Sequence, residues 1–183
     1  MDESASDGFF GERVASRYDE DTAISDPAVV GPVADLLAQL AGDGAALEFG
    51  IGTGRIAFPL AERGVGVAGI DSSEAMVARL RAKPGAERID VAIGDFATTR
   101  VEGEFSLVYL VFNTIFNLVT QDAQVACFEN AAAHLAPGGS RRNSGTMTSI
   151  TKHPPGSRCA AAFRKHATWA ACVVRFMIVL KTR

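Results

Sequence analysis

At 183 residues, with a formal net charge of −3 and 48% hydrophobic residues, the chain suits one domain with a sizeable core. No 18-residue apolar run occurs, so a membrane span is not expected, and the acidic start Met1-Asp2-Glu3-Ser4 is not a signal peptide. Three cysteines (Cys127, Cys159, Cys172) have neither metal-ligand spacing nor even pairing, which points to a reducing cytoplasm. The charge is uneven: all 21 acids and half of the 18 Lys/Arg precede residue 140, and the rest is a basic, acid-free tail.

Residues 9–22 read as a helix carrying Phe9, Phe10, Val14 and Tyr18. Asp26-Pro27 is a helix start, acid as N-cap and proline at the first position. Val29, Val30, Val33, Leu36, Leu37 and Leu40 follow at helical spacing until Gly42. Ala45 to Phe49 is a short buried strand, and it runs into Glu48-x-Gly50-x-Gly52-x-Gly54 and an amphipathic segment (Ile56, Leu60, Ala61) ending near residue 63. Strand, glycine turn and helix form the first half of a nucleotide-binding βαβ unit. The dinucleotide fingerprint would need a glycine where Arg55 stands. An acid two residues before the first glycine does not help a pyrophosphate, but it suits an ammonium or a sulfonium. The bland alternative is a tight turn with no ligand.

This E-x-G-x-G-x-G pattern resembles the first motif of class I S-adenosylmethionine-dependent methyltransferases. The resemblance implies that Gly50, Gly52 and Gly54 admit the amino-acid part of the cofactor and that Glu48 helps hold its ammonium. It also implies that the N-terminal helix caps the cofactor, with Tyr18-Asp19 over it; the alternative is that Tyr18 packs on the sheet edge. Val65 to Ile70 is the second strand, ending at Asp71, where a carboxylate can accept both ribose hydroxyls. Gly69 to Met76 resembles the family's second motif. Ser72 or Ser73 caps the next helix. By resemblance Ser72 lies against the cofactor and Met76 flanks the adenine, a core methionine being the alternative.

Arg88 to Ile93 reads as the third strand. The following Gly94-Asp95-Phe96 resembles the third motif, in which the Asp carboxylate accepts the adenine amino group and the next backbone N–H reaches the ring. Phe105 to Phe112 is a fourth, near-continuous apolar strand, and its end at Phe112 would face the transferring methyl. Asn113-Thr114-Ile115-Phe116 stands where methyltransferases of base amino groups carry N/D-P-P-aromatic, which argues against nucleic-acid bases. Ser106 replaces an Asp that many relatives have. Thr120 to Ala136 is an amphipathic helix capped by Thr120, stopped by Leu135-Ala136-Pro137-Gly138-Gly139. His134, on that helix, is placed far from the motifs, and no general base is named.

After Gly139 the pattern breaks. Ser140-Arg141-Arg142-Asn143-Ser144-Gly145-Thr146 is no buried strand, and residues 140–183 read as a shifted frame or foreign sequence. The rival is a genuine basic extension in which Cys159 to Val174 forms a helix and Arg175 to Leu180 a makeshift strand. His153 and His166 are incidental, and no metal site is proposed. The fourth strand would then have an exposed apolar edge, and stability would be marginal.

The expected fold is α/β, a Rossmann-like three-layer sandwich with a mostly parallel sheet whose C-terminal strands are missing or replaced. The expected organisation is a domain over 1–139, with cap helices over 9–41 and a core over 45–139, followed by the tail. The resemblance implies S-adenosyl-L-methionine as cofactor and methyl transfer to O, N or C of a small-molecule acceptor. A degenerate, non-catalytic binder and an NAD-dependent oxidoreductase are the rival readings. Neither nucleic acid nor membrane is expected as a partner.

Overall fold

The computed structural model describes residues 10–19, 26–135, 146–149 and 178–181. Helix α1 spans Glu12–Tyr18 and α2 spans Pro27–Ala41. Strand β1 (Ala45–Phe49) leads through the glycine turn to α3 (Ala57–Glu62) and β2 (Val67–Asp71). Helix α4 (Glu74–Arg81) follows, then β3 (Ile89–Ile93), β4 (Phe105–Leu110), a 3-10 turn over Thr114–Asn117 and α5 (Gln121–His134). Short strands β5 (Thr146–Ser149) and β6 (Ile178–Lys181) complete the sheet. The expectations for residues 1–9, for a helix over Cys159 to Val174, and for His153 and His166 lie outside the described residues.

Local chemistry accounts for the helix starts. The Asp26 carboxylate accepts the Ala28 N–H at 2.8 Å, with Pro27 at the first position where its missing N–H costs least. Ser73 Oγ accepts the Met76 N–H at 3.1 Å and starts α4; Thr120 Oγ1 accepts the Ala123 N–H at 3.2 Å and starts α5.

The sheet order is β3-β2-β1-β4-β6-β5, and its first four strands are parallel. β1 is central and buried on both faces, so it reads as a continuous apolar run. Leu37, Ala46, Ile56, Leu60, Leu107 and Tyr109 belong to one core layer. Leu47, Phe49, Ile70, Phe96, Phe105, Val108 and Cys127 form the other, against α5. Register places Glu48 beside Gly69 on β2 and beside Tyr109 on β4. A one-residue slip would turn both side chains to the opposite layer.

Two expectations need correction. The fourth strand stops at Leu110, because Phe112 and Asn113 take positive φ values of 53° and 67° and turn the chain away from the sheet. Its far edge is also not bare: β6 pairs antiparallel with β4, Leu110 opposite Ile178, and β5 pairs antiparallel with β6. The Ile-Val-Leu run of β6 supplies the backbone partners that β4 would otherwise lack. The edge is closed from within the tail that was expected to leave it open.

Candidate cofactor site

The site forms where β1 and β4 end and the glycine turn begins. Gly50 has φ of 71°, and a Cβ there would run into the Thr114 methyl, so only glycine lets β1 turn so close to the β4 exit. Its N–H donates to the Ile70 carbonyl at 2.8 Å, which ties the turn to β2. The N–H of Gly52 donates to Asp71 Oδ2 at 2.6 Å, and the Ser73 N–H donates to Asp71 Oδ1 at 2.9 Å. Each Asp71 oxygen therefore fixes one backbone element of the turn or of the next helix start. A Cβ on Gly52 would sit 3.8 Å from Met76 Cε and 4.0 Å from Asp71 Oδ2.

A cavity of about 250 Å³ opens above the turn. Of the residues expected at the site, Tyr18, Glu48, Gly50, Gly52 and Phe112 line it; Asp71 borders it through its bond to Gly52. Gly54, Ser72, Met76, Asp95 and Phe96 do not line it. Gly54 packs instead: a Cβ would meet Phe58 Cε2 at 2.7 Å and Leu80 Cδ1 at 3.1 Å. Met76 is buried on α4, and the Phe96 ring stacks on Phe49 at 5.9 Å in the core. Ser72 and Asp95 are exposed at the β2 and β3 ends. The Gly94 N–H donates to the Asp71 carbonyl at 2.9 Å, so the ends of β2 and β3 are joined.

Glu48 is the electrostatic centre. It is 2% exposed, and the Tyr109 hydroxyl donates to its Oε2 at 3.0 Å. Burial pushes the Glu48 carboxyl up to about 8; the Tyr109 hydrogen bond and the Arg55 charge pull it down, and Asp71 pushes it up. Arg55 lines the same cavity, its guanidinium 3.9 Å from the Phe112 ring centroid and 5.5 Å from that of Tyr18. Burial raises the Tyr18 hydroxyl pKa, opposed by Arg55.

Helix α1 is fastened over the turn. Ser73 Oγ donates to the Phe10 carbonyl at 2.8 Å, and Arg79 pairs with Glu12 at 2.7 Å. At its other end Thr53 Oγ1 donates to Asp19 Oδ1 at 2.6 Å, while Lys83 pairs with Asp19 Oδ2 at 2.7 Å and donates to the Thr53 carbonyl at 2.8 Å. The helix therefore carries Tyr18 into the cavity wall.

Sequence reasoning missed Arg55 as a lining residue, Tyr109 as the partner of Glu48, and the Asp19–Thr53–Lys83 fastening. Tyr109 carried one signal, a hydroxyl within an apolar strand that has to find a partner when buried. His134 was placed far from the motifs, yet it lies beneath the loop that carries the third one: the Val101 N–H donates to its Nε2 at 3.1 Å. Among the described residues no group of three or more His, Cys, Asp and Glu could hold a metal, and no helix is long and apolar enough to cross a membrane.

The donor set can be tested against an adenosyl amino acid. A buried acid suits an ammonium, a glycine cradle that side chains would fill suits close approach of the amino-acid part, and a carboxylate at the β2 end suits a ribose diol. The residues fit such a group.

Comparison with known proteins agrees. A family model described as methyltransferase domain matches residues 46–139, just over half of the chain. A cypemycin N-terminal methyltransferase from Streptomyces sp is 33% identical over 93 residues, 51% of this chain and 38% of that protein. The CcbJ methyltransferase structure from Streptomyces caelestis matches with TM-score 0.64 and 33% identity, covering 79% of this chain and 64% of that one. At the level of fold alone, the SAM-bound structure of CalS10, an amino pentose methyltransferase from Micromonospora echinaspora, matches with TM-score 0.57 and 21% identity over 84% of this chain and 90% of that one. The chain spans 38% and 64% of the lengths of the first two relatives.

Proposed function

Because the chain belongs to the methyltransferase-domain family, we propose that it transfers a methyl group from S-adenosyl-L-methionine to an amine nitrogen of a small molecule or peptide. The observation that carries the reading is the meeting of Glu48, the Gly50–Gly52 cradle and the Asp71 clamp at one end of the parallel sheet. Residues 1–139 are the cofactor-binding unit in this reading, and 140–183 an appended segment. A cytoplasmic site of action belongs to the same reading.

When bound, the cofactor supplies an electrophilic methyl on its sulfonium sulfur. Glu48 holds the ammonium, with Tyr109 orienting its carboxylate. Asp71 holds the ribose hydroxyls and Ser72 flanks them. Met76 flanks the adenine, Asp95 accepts its amino group, and the Phe96 backbone N–H, not its core-packed ring, reaches the base. Tyr18 and Phe112 close the cavity on two sides, and together they keep the donor aligned for in-line attack. The acceptor enters past Asn113, Thr114, Phe116 and Asn117, an amide, hydroxyl and aromatic rim after β4. Such groups orient a nucleophile without deprotonating it, which suits a neutral amine with its own lone pair. The name of one relative, an N-terminal methyltransferase, supports nitrogen.

The test is calorimetric titration of the purified chain with S-adenosylhomocysteine, NAD as control, then mass spectrometry after incubation with the cofactor and paired amine and hydroxyl acceptors. Binding of the first ligand alone, with methylated amines, is the expected result. Binding of NAD alone, or methylation confined to hydroxyls, would overturn the reading.

A further inference from the structure

We propose that Asn130 and His134, on the last turn of α5, are positioning residues that hold the 95–101 segment in the shape that lets Asp95 read the amino edge of adenine. The proposal deepens the functional reading above and rests on it. Asn130 is 2% exposed, and its two amide N–H groups donate to the Phe96 and Thr99 carbonyls, both at 2.8 Å. Inside the segment, the Asp95 carbonyl accepts from the N–H groups of Thr98 at 2.9 Å and Thr99 at 2.7 Å. Asp95 Oδ1 accepts the Ala97 N–H at 2.8 Å, and its other oxygen takes no hydrogen bond among the described residues. One helix side chain thus grips both ends of the turn that sets the direction of the Asp95 carboxylate. Leucine offers no donors there, and aspartate would set an acceptor against two carbonyls.

His134 fixes the exit of the same segment. The Val101 N–H donates to Nε2 at 3.1 Å, so the hydrogen-bond pattern puts the ring proton on Nδ1, which faces the Asn130 carbonyl at 2.8 Å. The ring stands edge-on to Phe49 and Phe105, with centroids 6.1 Å and 6.2 Å away, and Phe49 also carries the Phe96 ring. Arg100 is the charged group that faces it, its Nη1 3.4 Å from the Asn130 carbonyl; Phe49, Phe105, Val101 and Asn130 are uncharged. A proton on Nε2 would set two donors against each other and release Val101. Burial and Arg100 both hold the ring neutral, so the release belongs to the acid side of neutrality.

The test uses the intact chain and two ligands, S-adenosylhomocysteine and S-inosylhomocysteine, in which the amino group is a carbonyl. Loss of one charge-assisted hydrogen bond makes wild type prefer the adenine ligand by about tenfold or more at pH 7.5. Asn130→Asp and His134→Leu are expected to bind both ligands with the preference reduced to about threefold or less, the larger part of that one bond being lost. His134→Gln keeps an acceptor for Val101, so it retains the preference at pH 7.5. It does not titrate, so it lacks the decline in preference that wild type shows on the acid side of the ordinary histidine range, as burial first and Arg100 next hold the His134 pKa below its usual value. The ratio compares two ligands on the same folded molecules, so a lower folded fraction does not alter it. Variants that keep the wild-type ratio, or a His134→Gln pH profile like that of wild type, would overturn the proposal. Equal binding of both ligands by wild type would overturn it alone, whereas wild type binding neither would overturn the methyltransferase reading as well.

Discussion

Tyr109→Phe removes one oxygen and leaves the ring in place. That oxygen is the hydrogen-bond donor to Glu48 Oε2 at 3.0 Å, and both side chains are buried. With the Glu48 carboxyl pushed up to about 8, the empty site holds it protonated at pH 7. Seating a ligand ammonium against a carboxylate then requires proton loss, which costs about 1.4 kcal/mol per unit of pH below that value. Wild-type affinity for S-adenosylhomocysteine is therefore expected to rise about tenfold per unit between about pH 6 and 7.5, with about one proton released per ligand bound. Tyr109→Phe takes away a bond to the ionised form worth about 1.5–3 kcal/mol, so affinity at pH 7 falls by about tenfold to a hundredfold and the rise extends to higher pH. Calorimetry in two buffers of different ionisation enthalpy counts the protons. Flat affinity across this range, or no proton released by wild type, would refute the reasoning. The same shift acts on the empty fold. Between about 4.5 and 8, folded Glu48 keeps a proton that the unfolded chain has lost, so stability falls as pH rises across that window.

Gly54→Ala is expected to destabilise the fold by about 1–3 kcal/mol, because φ is 80° there and Phe58 and Leu80 occupy the space a Cβ needs. Denaturant titration reads it, and a change below about 0.5 kcal/mol would show that the turn relaxes freely. Lys83→Ala loosens the fastening of α1 at Asp19 and Thr53. The pair is partly exposed, so stability should change by less than about 1 kcal/mol while S-adenosylhomocysteine binding weakens by about two- to fivefold. Unchanged affinity would separate α1 from the cofactor cavity.

The elements up to residue 135 were legible because their signals are local. Asp26-Pro27, Ser73 and Thr120 cap helices through contacts within three residues, and the apolar runs of β1 and β4 need only two covered faces. The Glu48–glycine pattern was equally legible, since the backbone shape of a tight turn is written in glycines. The partners of these groups were not. Tyr109 meets Glu48 only through the β1–β4 register, across 61 residues of chain. Arg55 looked like a missing glycine, and only the fold shows it packed between Tyr18 and Phe112.

His134 shows the same limit from the other side. Distance along the chain put it far from the third motif, whereas the packing of α5 against β4, with the ring edge-on to Phe49 and Phe105, brings it to Val101. The closing of the β4 edge by β6 was half legible: an apolar run near the end marked a strand, but its antiparallel pairing with β4 depends on where the chain returns. Sequence by itself determined the alternation of strands and helices, the glycine turn and the acids at the strand ends, since backbone propensity and short-range capping set these. Tertiary structure decided the protonation of Glu48, the setting of Arg55 and the grip of Asn130 on the 95–101 segment. Each of those depends on burial and on a partner from a distant element, and neither exists until the sheet has assembled.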